Sequence, residues 1–171
     1  MVVFVVAVVA EGDASMQSAF ERARAALNDE LFAQVLPAAE VFESEDGLYK
    51  HVRGYVTDAA GEKQLVGFAF LTIDLGARSR GYNGVIPILV GMDIRGRITG
   101  LKILRHYEPY GYRSINRPDY GAQFKGKSVL DKFEVGDDID GYSGATITTV
   151  AATKAIRHAS RRMAREFLAE K

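Results

Sequence analysis

Four strand-like runs separated by short turns constrain the fold of this chain most strongly. They cover residues 51–57, 66–75, 85–92 and 98–104, are rich in branched and aromatic side chains, and are punctuated by glycine. Residues 93–97, between the last two runs, predict a tight hairpin with Gly96 at the position that needs positive φ. The pattern predicts a central antiparallel sheet.

Helical periodicity is found on both sides of these runs. Ser15 can cap an early helix that Pro37 ends, and its apolar positions recur at helical spacing: Phe20, Ala23, Leu27, Leu31 and Val35. A late helix is predicted over residues 146–168, with a buried face made of Ala152, Ile156, Ala159, Met163 and Phe167. A sheet flanked by an N-terminal and a C-terminal helix gives an α+β fold, and 171 residues fit a single domain.

Composition excludes several classes of function. The chain has 22 basic and 22 acidic residues, so it lacks the basic balance of nucleic-acid-binding proteins. It has no cysteine, which excludes disulfides, thiolate metal sites and a cysteine nucleophile. His51, His106 and His158 do not have the spacing of metal ligands, and no general acid–base pair stands out. We therefore expect no nucleic-acid partner, no metal site and no catalytic residue.

Residues 1–12 form an apolar N-terminal segment, in which the first ten residues are all apolar. As a helix, its first ten residues would span about 15 Å, against about 30 Å for a bilayer core. The segment is either a truncated signal or anchor, which favours export, or a buried strand. Residues 13–171 are predicted to form the functional domain, as a stand-alone unit or as a fragment of a larger protein.

Three other patterns have unremarkable explanations. Residues 121–128 match the phosphate-loop pattern, but no strand leads in and no full helix leads out. Residues 141–145 resemble a serine-hydrolase elbow, but the second glycine comes one position early. The stripe of Lys154, Arg157, Arg161 and Arg165 is interpreted as a solvated helix face in preference to a docking surface for acidic partners or lipid headgroups.

The stretch DGYSGATITT, residues 140–149, directly precedes the late helix. Ser143 is placed to be its N-cap and Thr146 then lies in the first turn, where unpaired N–H groups would stabilise an anionic phosphate. A simple cap needs only Ser143, which leaves Gly144, Ala145 and the hydroxyls of Thr146, Thr148 and Thr149 unexplained. An anion site and a plain cap both remain open on this pattern alone.

Residues 140–146 resemble the D-x-x-[ST]-G-A-T motif of FMN-binding domains. Three further stretches resemble segments of that family in the same order: the glycine–tyrosine turn and strand at 81–91, the strand ending in H-x-E-P at 100–109, and Q-F-x-G-K at 123–127. The family includes subunits of the Rnf complex and of sodium-translocating NADH:quinone reductase, and domains of regulators of nitrous-oxide and nitrite reduction. Residues 106–111 lack the T-P-G-L-G ending of the transport subunits, which favours the last branch.

The resemblance implies that a flavin transferase attaches FMN through a phosphoester to Thr146. It implies cofactor-binding roles in the motif for Asp140, Tyr142, Ser143, Gly144 and Ala145, and elsewhere for Gly81, Tyr82, Glu108, Pro109, Tyr110 and Lys127. The expected function is electron transfer rather than turnover of a substrate, in the periplasm or otherwise outside the cytoplasm, beside membrane, iron–sulfur or haem partner proteins. The alternatives are a soluble flavin-dependent reductase and a sensing or scaffold module without flavin.

Overall fold

The computed structural model describes residues 16–47, 50–77 and 79–168. Its first helix, α1, includes residues 16–25. The remaining helices are α2 (Asp29–Val35), α3 (Pro118–Ala122) and α4 (Thr146–Phe167), with a short 3-10 helix at Gly111–Arg113. The strands are β1 (Val41–Asp46), β2 (Lys50–Thr57), β3 (Lys63–Leu71), β4 (Ile88–Asp93) and β5 (Ile98–Ile103).

The five strands form one antiparallel sheet in the order β1-β2-β3-β4-β5, so each strand pairs with its neighbour in sequence. Side chains alternate between its two faces, as the two-residue period of a strand requires. In β3, Phe68 and Phe70 enter one hydrophobic cluster, whereas Ala69 and Leu71 enter the other. The sheet therefore has an apolar core on each face.

The helices cover these two faces. The buried stripe of α4, which contains Ala152, Ile156 and Met163, shares a cluster with Phe68 and Phe70. Helices α1 and α2 cover the opposite face through Phe20, Phe32 and other apolar residues. The result is a single α+β domain with an N-terminal and a C-terminal helix around an antiparallel sheet, as predicted from the sequence.

Close packing of α2 on the sheet depends on the absence of a side chain at Gly91. A Cβ there would lie 2.0 Å from the carbonyl oxygen of Val35, at the end of α2. Thr99, on the neighbouring strand, donates its hydroxyl to the same carbonyl oxygen at 2.5 Å. The C-terminal end of α2 is thereby fixed against β4 and β5.

Several predicted boundaries were wrong. The early helix is interrupted at residues 26–28, and Asn28 caps α2 by accepting a hydrogen bond from the N–H of Leu31 at 2.9 Å. Strand β1 was not predicted. The strand predicted over 66–75 ends at Leu71 because a turn follows, and the one predicted over 85–92 begins at Ile88, after Pro87. The hairpin prediction is confirmed, with Gly96 at φ 75°.

Ser15 and the apolar segment 1–12 lie outside the described residues. Within the described ranges, no helix is both long enough and apolar enough to cross a membrane.

Candidate functional site

The segment before α4, residues 140–146, is named the attachment segment after the role that the sequence predicts for it. The N–H of Ala145 donates to the carbonyl oxygen of Tyr142 at 3.0 Å, which closes a turn with Gly144 at φ 76°. Because Gly144 is left-handed, the helix cannot begin before it. Ala145 is the N-cap residue and α4 starts at Thr146.

The prediction that Ser143 caps the helix is therefore wrong. Ser143 is exposed, and no described side chain caps α4. The first N–H groups of a helix have no partner within the helix itself, so those of α4 are available to a ligand. A helix terminus of this kind stabilises negative charge.

Thr146 is exposed at this uncapped terminus and lines a surface pocket of about 470 Å³. This Thr146 pocket is also lined by two cations, Arg80 and Lys154, and by Ser79, Ile147, Val150 and Ala151. An exposed hydroxyl, N–H groups at a helix start and two positive charges are a donor set suited to a phosphate ester. The apolar side chains Ile147 and Val150 would suit a less polar part of the same ligand.

Two parts of the chain predicted to bind cofactor meet beside this pocket. The turn after Arg80 is closed by a hydrogen bond of 2.7 Å from the N–H of Gly81 to the carbonyl oxygen of Gly84. The buried carboxylate of Glu108 accepts hydrogen bonds from the N–H groups of that turn and from the hydroxyl of Thr148 in α4. Both its oxygens thus bind protein donors.

The attachment segment is also held by residues 117–123. The N–H of Asp140 donates to the Oε1 of Gln123 at 2.6 Å, and the Asp140 side chain is exposed. The guanidinium of Arg117 lies 5.4 Å from the centroid of the Tyr142 ring. Burial and a hydrogen bond with Asp119 raise the pKa of the Tyr142 hydroxyl above its ordinary value. Tyr142 therefore anchors the segment on the domain.

Lys127 forms an ion pair, and its predicted role in cofactor binding stays a prediction. Its Nζ is 3.2 Å from the Oδ2 of Asp138, and it is not among the residues that line the Thr146 pocket. Burial alone would raise the pKa of Asp138, but hydrogen bonds from the N–H of Glu134 and from Lys127 hold it below its ordinary value. This ion pair stabilises the connection between α3 and α4.

The remaining predicted residues are accessible. Tyr82 is 68% exposed and Tyr110 is 44% exposed, so either ring could cover a planar ligand without prior rearrangement of the core. Pro109 is also exposed.

Comparison with known proteins identifies the domain. Residues 81–161 match the model of a family described as FMN-binding domain. These residues belong to the FMN-binding domain family. The match begins at Gly81, in the turn bound by Glu108, and includes the attachment segment and most of α4.

Curated relatives match over a longer part of the chain. One is a component of the ion-translocating oxidoreductase complex of Vibrio atlanticus, which is 32% identical over 143 residues, 77% of this chain and 64% of that protein. The component of the same name from Stutzerimonas stutzeri is 31% identical over 144 residues, 78% of this chain and 60% of the relative. The chain thus spans less than two thirds of these relatives. They do not come from the nitrous-oxide and nitrite branch, and the assignment to that branch stays a prediction.

The structure adds residues to the candidate site that the motifs did not predict. Arg80 and Lys154 line the Thr146 pocket, although Lys154 had been interpreted only as part of a solvated face. Thr148 and Asn83 bind Glu108. Arg80 directly precedes the glycine–tyrosine turn and Thr148 belongs to the hydroxyl row, so both could have been suspected from their neighbours in sequence.

Proposed function

We propose that this domain carries FMN as a phosphoester on Thr146 and acts as an electron carrier. The observation that carries the proposal is the exposed Thr146 hydroxyl at the uncapped start of α4, in a pocket with Arg80 and Lys154. A phosphodiester retains about one negative charge, which a helix N-terminus and two cations stabilise. The match of residues 81–161 to FMN-binding domains supports the choice of ligand.

Attachment would be an exchange of one P–O bond for another. The Thr146 hydroxyl oxygen bonds to the phosphorus of the FMN half of FAD, the bond to the AMP half breaks, and the hydroxyl proton leaves to a base of the flavin transferase. AMP is the leaving group, so no oxidant or reductant is needed. In this role Thr146 supplies the nucleophile and Asp140, Ser143, Gly144 and Ala145 form the segment that the transferase recognises.

Bound FMN supplies redox chemistry, while the protein determines its orientation and electrostatic environment. The exposed rings of Tyr82 and Tyr110 would contact the isoalloxazine. Tyr142 would hold the attachment segment on the domain through its contact with Arg117. Both oxygens of Glu108 are bound to protein donors. No described residue is required as a general acid or base for electron transfer itself.

The relatives suggest the setting of this carrier. Their names place them in an ion-translocating oxidoreductase complex. We infer that this chain also passes electrons between membrane-associated redox partners, such as iron–sulfur or haem proteins. Its proposed location is the periplasm or another extracytoplasmic compartment, where the apolar segment 1–12 would serve as part of a signal or anchor.

The proposal is tested by producing the full chain with and without an FAD-dependent flavin transferase. Intact mass after denaturation should rise by about 440 Da, the mass that FMN adds, only when the transferase is present. Thr146→Ala should abolish the adduct, and Thr146→Ser should retain it because a hydroxyl remains at the same position.

Thr57→Ala is a matched control, since Thr57 is an exposed threonine at the end of β2, outside the attachment segment. It should load as the wild type does. Flavin that survives denaturation in Thr146→Ala would show that another residue is the attachment point. Loss of loading in Thr57→Ala would show that the assay reports general damage.

A further inference from the structure

Glu108 occupies an unusual position for a carboxylate, because it is only 8% exposed and binds two separate parts of the chain. Its Oε2 accepts from the N–H of Tyr82 at 2.8 Å and from the hydroxyl of Thr148 at 2.5 Å. Its Oε1 accepts from the N–H of Asn83 at 2.8 Å. We call Glu108, Tyr82, Asn83 and Thr148, joined in this way, the Glu108 bridge.

Within the described residues, the Glu108 bridge satisfies the buried carboxyl group with hydrogen bonds alone. No salt bridge to Glu108 occurs within the described part of the chain. A buried carboxylate is costly unless donors satisfy it, and hydrogen bonds to an ionised acceptor are about twice as strong as neutral ones. The three donors therefore fix the turn at 81–84 and the start of α4 relative to one another.

Glu108 is itself held by the loop that carries it. Its N–H donates to the Nδ1 of His106 at 3.0 Å, so the ring proton of a neutral His106 is on Nε2. That nitrogen lies 2.9 Å from the Oδ1 of Asn116 and donates to it. A Cβ on Gly111 would lie 2.3 Å from the Cε1 of His106, so only glycine allows this ring position. Residues 106–111 thus fix the position of Glu108.

Thr148 connects this support to the attachment point. It lies two residues after Thr146 in the first turn of α4, and its side chain is buried. Arg80, which also lines the Thr146 pocket, directly precedes the turn bound by Glu108. A shift of either element would change the distance between the Thr146 hydroxyl and Arg80.

We propose that Glu108 is a positioning residue that sets the geometry of flavin attachment through Thr148 and the 81–84 turn, and is not a ligand of the flavin ring. The proposal rests on the proposed function of Thr146. It differs from the expectation of the sequence analysis, in which Glu108 contacts the cofactor directly. Both oxygens of Glu108 are engaged by Tyr82, Asn83 and Thr148.

The first test compares hydroxyl variants at Thr148. Thr148→Val has nearly the same shape but no hydroxyl, and Thr148→Ser keeps the hydroxyl. The initial rate of FMN incorporation, measured by intact mass with the transferase and FAD, should fall at least tenfold in Thr148→Val. Thr148→Ser should recover most of that loss. Thr57→Val serves as the control for an exposed threonine and should load at the wild-type rate.

A second test uses Glu108→Gln, with Glu62→Gln, an exposed glutamate in the β2–β3 connection, as its control. An amide offers one acceptor oxygen where the carboxylate offers two. Loading should slow at least tenfold, and amide exchange at Tyr82 and Asn83 should accelerate. In the fraction that does load, the visible circular dichroism of the flavin should differ from that of the wild type, a change that lower stability alone would not cause.

The outcomes separate the two proposals. A wild type without adduct would overturn the proposed function and the positioning role together. A wild type with adduct, combined with Thr148→Val that loads at the wild-type rate and gives an unchanged flavin spectrum, would overturn the positioning role alone. If Glu108→Gln does not fold, the comparison of Thr148→Val with Thr148→Ser still decides.

Discussion

Gly81 and Glu108 are in direct contact, and the contact leaves no room for a side chain at Gly81. A Cβ there would lie 2.5 Å from the Cδ of Glu108 and 2.5 Å from its Oε2. Gly81 is not among the glycines with positive φ, so the restriction is steric and is not a matter of backbone conformation. The glycine of the glycine–tyrosine motif is thus explained by the carboxylate of a second motif 27 residues later in the sequence.

Gly81→Ala is accordingly expected to displace Glu108 from its three donors. Overpacking at a close contact typically costs about 1–3 kcal/mol of the free energy of unfolding, which urea titration would measure. Amide exchange at Tyr82 and Asn83 should also accelerate. Gly121→Ala is the control, since a Cβ there meets Leu101 at an ordinary 3.9 Å. Equal stability of the two variants would contradict the contact.

Removal of the Ser143 hydroxyl is expected to leave the stability of α4 unchanged. Because Ser143 does not cap the helix, Ser143→Ala should alter the free energy of unfolding by no more than about 0.5 kcal/mol. Asn28→Ala provides the contrast, since it removes a cap that accepts from Leu31, and should cost about 1 kcal/mol. A larger loss of free energy of unfolding in Ser143→Ala than in Asn28→Ala would show that Ser143 does cap α4.

Tyr120, in α3, and Thr153, in α4, form a buried hydroxyl pair. Their oxygens are 3.1 Å apart, and burial raises the pKa of the Tyr120 hydroxyl. Thr153→Val should cost about 1–3 kcal/mol of the free energy of unfolding, because the phenol loses its partner. The double variant Tyr120→Phe/Thr153→Val should lose less free energy of unfolding than the two single variants lose in sum. A double-mutant cycle measured by urea titration tests this. Strict additivity would show that the two hydroxyls do not interact.

Asp138 is expected to contribute to the pH dependence of stability. Its pKa is lower in the folded protein than the ordinary 3.8, so its contribution is present above that value and is lost as pH falls through the folded pKa. Asp138→Asn removes the contribution. The difference in free energy of unfolding between wild type and Asp138→Asn should be largest at about pH 6 and should shrink toward about pH 3. A difference that grows in acid would contradict the assigned direction.

Lys127→Met provides a related test of the same ion pair. It should lower stability in the same pH range, because Asp138 loses a charged donor. FMN loading at Thr146 should continue at a rate within about twofold of the wild type, since Lys127 does not line the Thr146 pocket. A loss of FMN loading without a loss of stability would support the predicted role of Lys127 in cofactor binding. Intact mass and urea titration measure the two effects separately.

The sheet and the last helix could be predicted from the sequence because their periodicities are local. Runs of branched and aromatic residues ended at glycine or proline, and Ala152, Ile156 and Met163 recur on one face of α4. Strand β1 could not be predicted, since its sequence VFESED carries charged residues and its pairing with β2 is a tertiary property. The break before Asn28 was missed because the apolar period continues through it.

Different limits apply to the site. The attachment segment was predictable because its motif is contiguous, but the position of the helix start depends on the left-handed Gly144, which Ser143 as a local cap signal does not reveal. The H-x-E-P motif predicts a site role for Glu108, but its hydrogen bonds with Tyr82, Asn83 and Thr148 form only in the folded chain and cannot be inferred from the motif. Lys154 was set aside because a helical cation is usually solvated, whereas here it lines the Thr146 pocket together with Arg80.

The attachment of FMN to Thr146 is tested most directly by the mass of one peptide. Protein made with an FAD-dependent flavin transferase would be denatured, digested and measured by tandem mass spectrometry over the peptide that contains residues 140–154. We predict an addition of about 440 Da that fragments assign to Thr146, and none in Thr146→Ala. An unmodified Thr146 in yellow protein, or the same addition on Ser143 or Thr149, would contradict this prediction.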